Sequence, residues 1–268
     1  MGTYELPGFD TVRTGAVTAL LRRGVADELK GMSIIEPEAF LSHCAATSHR
    51  GRGTVLRATL PSGVTAIVRR CRRAGLAGLF CGGSYLMRPR PLLEVFVSET
   101  ARRGGTPTPE VIAAVNVTTA AMIHSGFIVT REIEGAAPLR EALAEQDGPE
   151  MLTGSVPLAV RALHDSGVAH HDLTVDNILT VGGDQAWVID LDGCSASRGV
   201  NAARRLRNLR RFRRSAHKNG FAGDAELWGR FFAAYAGTDE SLLKLKDVWV
   251  KSFERMLPWY RLGWRLRI

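Results

Sequence analysis

The sequence has few cysteines, no paired cysteine spacing and no long apolar run, and each lack removes a class of protein. Its four cysteines (Cys44, Cys71, Cys81 and Cys194) are irregularly spaced and include no C-x-x-C, which argues against a structural zinc site and against a disulfide framework. No stretch approaches the roughly 20 consecutive apolar residues that a membrane-spanning helix needs. Met1 to Asp10 carries Glu5 and Asp10 and no apolar segment, unlike a secretory leader, so a cytoplasmic protein is expected. Acidic residues are in deficit, 27 Asp and Glu against 35 Lys and Arg, leaving a net charge of +8. That balance favours an anionic partner: a nucleotide, a nucleic acid or an acidic lipid surface. What remains is ordinary globular composition, 45% hydrophobic and 23% charged. The 268 residues suffice for one large domain or two packed lobes.

Along the chain, residues 1–45 read as a lead-in extension with weak helical patterning and no chemistry of their own. Thr54 to Leu60 alternates and is rich in β-formers, Pro61-Ser62-Gly63 is a turn, and Val64 to Arg69 is a second strand. A glycine-rich stretch with Gly75, Gly78, Gly82 and Gly83 follows, then a helix from Leu92 to Arg103 ending at Gly104-Gly105. Val111 to Thr119 and Phe127 to Ile133 read as two further strands. Beyond Gly135 the pattern is mostly helical, interrupted by short strands at Ile178 to Val181 and Ala186 to Ile189. This ordering predicts an α+β, two-lobed protein: an extension over 1–45, a strand-rich lobe with one main helix over 46–135, and a mostly helical lobe over 136–268.

The chemistry concentrates in Ala169-His170-His171-Asp172-Leu173-Thr174-Val175-Asp176-Asn177-Ile178-Leu179. Thirteen residues after Asn177 comes Asp190, within Val188-Ile189-Asp190-Leu191-Asp192-Gly193. A lone Asp is usually a cap or a turn residue. Four polar residues in this register, set against apolar strands, are not readily coincidental. The segment resembles the catalytic loop of protein kinases, H-R-D-x-x-x-x-N, followed by a strand that ends in a metal-binding Asp. The resemblance implies an ATP-dependent phosphotransferase. Asp172 would orient the acceptor hydroxyl and take its proton, His170 would brace the loop, and Asn177 and Asp190 would offer hard oxygen ligands to Mg²⁺. It further implies a phosphate cover at Gly51-Arg52-Gly53-Thr54-Val55. A cation on the second strand is also implied, and there Arg69 and Arg70 replace the usual lysine. Only one of these two arginines can face a site, with Glu94 as its natural partner.

Details narrow the likeness. Val68-Arg69-Arg70-Cys71-Arg72-Arg73-Ala74-Gly75-Leu76 is similar to the L-R-x-Y-R-R-G-G-L stretch of bacterial 3-deoxy-D-manno-octulosonic acid (Kdo) kinases, where arginine is usual on that strand. Gly105-Thr106-Pro107-Thr108-Pro109 resembles G-L-P-V-P, and Glu132-Ile133-Glu134-Gly135 resembles the hinge E-R-I-x-G that meets the nucleotide. Ile189-Asp190-Leu191-Asp192 resembles I-D-F-D, and Asn208 to Ser215 resembles the N-L-x-R-L-x-R-S helix. The departures are Cys71 for an aromatic, Ala74 for glycine, Leu191 for Phe, and Asp176 where His is frequent. The likeness spans roughly Arg52 to Lys218. It implies a protein-kinase-like fold acting on a Kdo residue of a lipid A precursor, an acidic glycolipid, at the cytoplasmic face of the bacterial inner membrane. Only about ten residues separate Asp190 from the helical pattern at Ala202, too few for a peptide-binding activation loop.

Nine Lys or Arg fall between Arg198 and Lys218. On a helix, Arg204, Arg207, Arg211 and Arg214 share one face, flanked by Arg210, while Ala202, Leu206, Leu209 and Ala216 lie opposite. A solvated face, a nucleic-acid surface and a contact with acidic glycolipid or anionic membrane all fit such a run. Interleaved aromatics are sparse, which disfavours nucleic acid, and the resemblance favours the third. In the tail, Leu257, Tyr260, Trp264 and Ile268 share a face that suits packing onto the lobe better than interfacial anchoring. The competing functions are a kinase of another small molecule or of a protein, and a catalytically inactive kinase fold serving as a binding module.

Overall fold

The structure is a computed structural model that describes residues 5–47, 55–71, 85–86, 88–120, 123–144 and 148–265. The chain separates into two compact units, residues 1–99 with 109–133, and residues 100–108 with 134–268.

The first unit begins with a hairpin, β1 (Phe9–Thr14) and β2 (Val17–Arg22). Two short helices follow, α1 (Ala26–Gly31) and α2 (Pro37–Ser42), and then β3 (Ala45–Thr47). Strands β4 (Val55–Thr59) and β5 (Thr65–Arg70) pair antiparallel about a turn in which Gly63 has φ +84, a value that favours glycine. After β6 (Tyr85–Leu86) and helix α3 (Arg90–Arg103) come the long strands β7 (Val111–Ala120) and β8 (Ile123–Arg131). The sheet order is β1-β2-β7-β8-β5-β4-β3, with β6 on β8.

The N-terminal segment, expected as a lead-in with weak helical patterning, does hold two short helices, but it also contributes two strands to the main sheet. Strand β2 lies between β1 and β7, so Ala19, Leu20 and Leu21 are all buried. A strand covered on both faces reads as a continuous apolar run, which periodicity cannot tell from a buried helix. Alternation then sorts the faces. Ala19, Leu21, Ala113, Val115, Phe127 and Val129 join Leu29 and Phe40 of α1 and α2 in one core, where Phe40 stacks on Phe127 at 5.4 Å. Leu20, Ala114 and Ile128 join Leu92 and Val95 of α3 in the other.

The second unit opens with β9 (Ala137–Pro138), α4 (Leu139–Ala142) and α5 (Gly148–Thr153), followed by α6 (Ser155–Asp165). Pro157 falls in the first turn of α6, where its missing N–H costs no helical bond. Strands β10 (Val168–Ala169), β11 (Ile178–Val181), β12 (Gln185–Val188) and β13 (Ser195–Ala196) form two small sheets, β12-β11-β9 and β10-β13. Helices α7 (Ala202–Lys218), α8 (Ala225–Ala236), α9 (Glu240–Leu243) and α10 (Lys246–Arg265) complete it.

An aromatic core of Phe212, Trp228, Phe231, Phe232 and Trp249 joins α7, α8 and α10. Into it runs Arg213, only 3% exposed. Its guanidinium lies 4.2 Å from the Phe253 ring centroid and 3.5 Å from Glu254. Burial pulls Arg213 down to about 10, with Glu254 opposing. One of the nine cations of this segment is thus a core residue. On the tail face, Tyr260 packs on Phe253 at 5.6 Å, whereas Trp259 is exposed. No described helix is long and apolar enough to cross a membrane.

Candidate active site

The glycine at the end of α6 leads into the candidate catalytic loop. Gly167 has φ +84, and a Cβ there would sit 2.0 Å from the Ser197 carbonyl oxygen, so no side chain fits. The chain then passes through β10 to His170, through a 3₁₀ turn at Val175–Asn177 into β11, and returns along β12 to Asp190.

Main-chain bonds stitch these segments together. His170 is 3% exposed. The Asp172 amide donates to His170 Nδ1 at 3.0 Å, and His170 Nε2 lies 3.1 Å from the Ile189 carbonyl oxygen. Nδ1 is an acceptor and Nε2 a donor, which assigns the neutral Nε2–H tautomer. Asn177 Nδ2 donates to the Asp172 carbonyl at 2.7 Å, and the Ile189 amide donates to the Asn177 carbonyl at 3.0 Å. Committing Nδ2 in this way leaves the side-chain oxygen as the Asn177 atom that could serve a ligand. Asp190 follows with φ +60, a left-handed conformation that Asp tolerates better than most residues at roughly 1–2 kcal/mol. The structure thus links His170, Asp172 and Asn177 through one network that ends on Ile189, the residue before Asp190.

Asn208, Arg211 and Arg140 are among the residues that hold this loop, and sequence reasoning did not single out their contacts. Asn208 of α7 accepts from the His170 amide at 3.0 Å and donates to the His170 carbonyl at 2.9 Å. Arg211, one turn on, places Nε and one Nη at 2.7 Å from Asp172 Oδ1. Arg140 of α4 donates to Asp176 at 2.7 Å, fixing the residue before Asn177. The available signal was the 208/211 spacing, which puts a carboxamide and a guanidinium on adjacent turns of one helix.

Behind Asn208 lies a second buried histidine. His164 Nε2 is 3.0 Å from Asn208 Oδ1, and its Nδ1 is 2.8 Å from the Tyr235 hydroxyl. Oδ1 can only accept, so Nε2 donates and Nδ1 accepts from Tyr235, whose oxygen accepts from Arg205 at 3.2 Å. Burial is the main cause that lowers His164 to about 4, and burial also lowers His170. Both rings are neutral in the native state at neutral pH, while in the unfolded chain they bind protons below about 6.5. Stability should therefore be full above pH 6.5 and fall as the pH drops towards 4, by about 3 kcal/mol for His164 alone. Denaturant melts at pH 7, 6, 5 and 4 check this, and a flat profile would contradict it.

In the first unit, Arg69 of β5 donates from one Nη to both Glu94 oxygens of α3 at 2.6 Å. Glu94 is 6% exposed. Arg70 points the other way and lies 3.9 Å from the exposed Glu38. Val55 opens β4. Glu132 accepts from Arg57 at 2.7 Å, and its amide donates to the Thr65 carbonyl at 3.0 Å; half-buried Ile133 follows it. Gly51 and Gly53 lie outside the described residues.

Among the described residues no three His, Cys, Asp or Glu side chains cluster as a metal cage. An Asn oxygen and an Asp carboxylate suit Mg²⁺, which is commonly held by one or two protein oxygens completed by substrate phosphates.

A profile of the lipopolysaccharide kinase (Kdo/WaaP) family matches residues 49–235. The chain belongs to this family. The 3-deoxy-D-manno-octulosonic acid kinase of Photobacterium profundum is 31% identical over 175 residues, 63% of this chain and 71% of its own length. One from Stenotrophomonas maltophilia is 29% identical over 208 residues, 74% of this chain and 77% of its own. The solved structure of WaaP in complex with acyl carrier protein superposes with a TM-score of 0.56 at 18% identity, covering 88% of this chain and 98% of its own. That likeness is one of fold, an α+β kinase-like fold. As a lipopolysaccharide kinase family member, the chain is an ATP-dependent phosphotransferase.

Proposed function

We propose that the protein transfers the γ-phosphoryl group of ATP to a hydroxyl of a Kdo residue on a lipid A precursor. The observation that carries this reading is the hydrogen-bond network in which the buried His170 ring joins the Asp172 amide to the Ile189 carbonyl, next to Asp190, while Asn177 donates to the Asp172 carbonyl. Asp172 orients the acceptor hydroxyl. As the new acceptor O–P bond forms and the bridging P–O bond to ADP breaks, the hydroxyl proton passes to the Asp172 carboxylate. Asn177 and Asp190 would hold Mg²⁺, which when bound neutralises phosphate charge. Arg69, braced by Glu94, meets the nucleotide phosphates. Gly51, Gly53 and Val55 cover them, and Glu132 and Ile133 border the base. Residues 46–135 act as the nucleotide lobe and residues 136–268 as the catalytic lobe. The protein works peripherally at the cytoplasmic face of the inner membrane.

Incubation with labelled ATP, Mg²⁺ and a Kdo-bearing lipid A precursor tests the function. Label on the glycolipid is expected, and ADP release without it would overturn the acceptor. Arg69→Lys exchanges a planar fork for a point charge and should raise the KM for ATP roughly tenfold, about 1.4 kcal/mol. An ATP titration at saturating acceptor reads this directly.

A further inference from the structure

On α7 a stripe of exposed cations, with the half-buried Arg204 at one end, has Arg211 at its centre. Arg204, Arg207, Arg211, Arg214 and Lys218 follow one another at spacings of three and four, a single helical face about 21 Å long. Arg204 donates to Ser195 Oγ at 2.7 Å, and Arg214 lies 5.1 Å from the Tyr260 ring centroid. Arg207 has no partner among the described residues.

Among the cations of this stripe, and among the described residues, Arg211 is the one that bonds to the loop. Its side chain is 52% exposed and that of Asp172 30%. A pair this open contributes on the order of 0–1 kcal/mol, too little to explain a long side chain laid across the loop as a structural clamp. Its fork is also only partly used: Nε and one Nη serve Asp172 Oδ1, and the other Nη has no partner among the described residues. Between Asp172 and Asn177 the loop supplies Leu173, Thr174, Val175 and Asp176, and no cation of its own.

We propose that Arg211 is a specificity-determining residue that recognises a carboxylate on the acceptor, while its neighbours on the stripe receive further negative charge on the same molecule. The inference rests on Asp172 being the group that meets the acceptor hydroxyl. A guanidinium bonded to that carboxylate then stands within one hydrogen bond of the acceptor's side of the reaction. The acceptor class is a sugar acid, whose carboxylate matches a planar fork in charge and in geometry. The nucleotide's charge has separate partners in Arg69 and the metal ligands.

The test compares two acceptors, the Kdo-bearing precursor and the same precursor with the Kdo carboxylate converted to its methyl ester, in the wild type, Arg211→Gln and Arg211→Lys. Wild-type kcat/KM should favour the acid at least tenfold, Arg211→Gln should bring the ratio close to one, and Arg211→Lys should restore part of it. Loss of Asp172 orientation would lower both acceptors equally and leave the ratio untouched. A phosphate-binding role would raise the KM for ATP with both. Either result overturns the inference while leaving the kinase function standing. Wild-type protein that phosphorylates neither acceptor overturns the proposed function, and this inference with it.

Discussion

Asp172→Asn is expected to lower the single-turnover rate of phosphoryl transfer by a factor of about 10²–10⁴, the usual contribution of a positioned general base, while ATP binding and folding persist. The structure separates the scaffold of the loop from the side chain at its tip. The bond to His170 Nδ1 comes from the Asp172 amide, and the bond from Asn177 ends on the Asp172 carbonyl, so both survive the substitution. The substitution changes the carboxylate contact with Arg211, a pair that is half-exposed. The amide keeps the shape of the side chain and can still orient a hydroxyl, but it cannot accept the proton. Rapid-quench measurement of product, beside a calorimetric ATP titration and a thermal melt, distinguishes loss of chemistry from loss of structure. A variant within tenfold of the wild-type rate would remove Asp172 from the proton's path. One that melts early would show that the loop depends on the side chain after all.

The reactive loop was legible in the sequence because its spacing is local. His170, Asp172 and Asn177 fall within eight residues, and Asp190 follows one hairpin later, so a linear pattern captures a constellation that β11 and β12 bring together. The β4–β5 hairpin and helix α3 were legible for the same reason. Strand β2 was not, because burial on both faces erased its alternation. Arg213 was not either. A cation in a basic helix looks like surface until the aromatic residues of α8 and α10, some fifteen to forty residues later, close over it. Arg69 and Arg70 stood undecided in the sequence because alternation admits one residue without naming it. Pairing of β5 with both β4 and β8 fixes the strand's orientation, and Arg69 is the one that meets Glu94.

Asn208 shows what a linear pattern hides. It belongs to a motif, yet the motif says nothing of its partners, which lie 38 and 44 residues away at His170 and His164. Asn208→Ala would strand a buried amide, a buried carbonyl and the His164 Nε2–H together. Each unsatisfied group costs about 1–3 kcal/mol, so a loss of roughly 3–5 kcal/mol is expected at pH 7. The start of the reactive loop loosens with it, and kcat should fall.

Asn208→Asp separates the contributions. An aspartate still accepts from the His170 amide and from His164, and loses only the donor to the His170 carbonyl, so its cost at pH 7 should be well below that of alanine. It also sets a carboxylate against His164 Nε2. The ring then gains by binding a proton, and its folded pKa rises from about 4 towards or above its unfolded value. With the sign of the shift reduced or reversed, His164 no longer draws stability away as the pH falls from 6.5 to 4. Urea melts of both variants and the wild type across that range give the result. An acid limb that flattens in Asn208→Asp assigns the wild-type slope to His164. A limb unchanged in Asn208→Asp assigns it instead to His170 and the native carboxylates, and an Asn208→Ala variant as stable as the wild type would dismiss the clamp altogether.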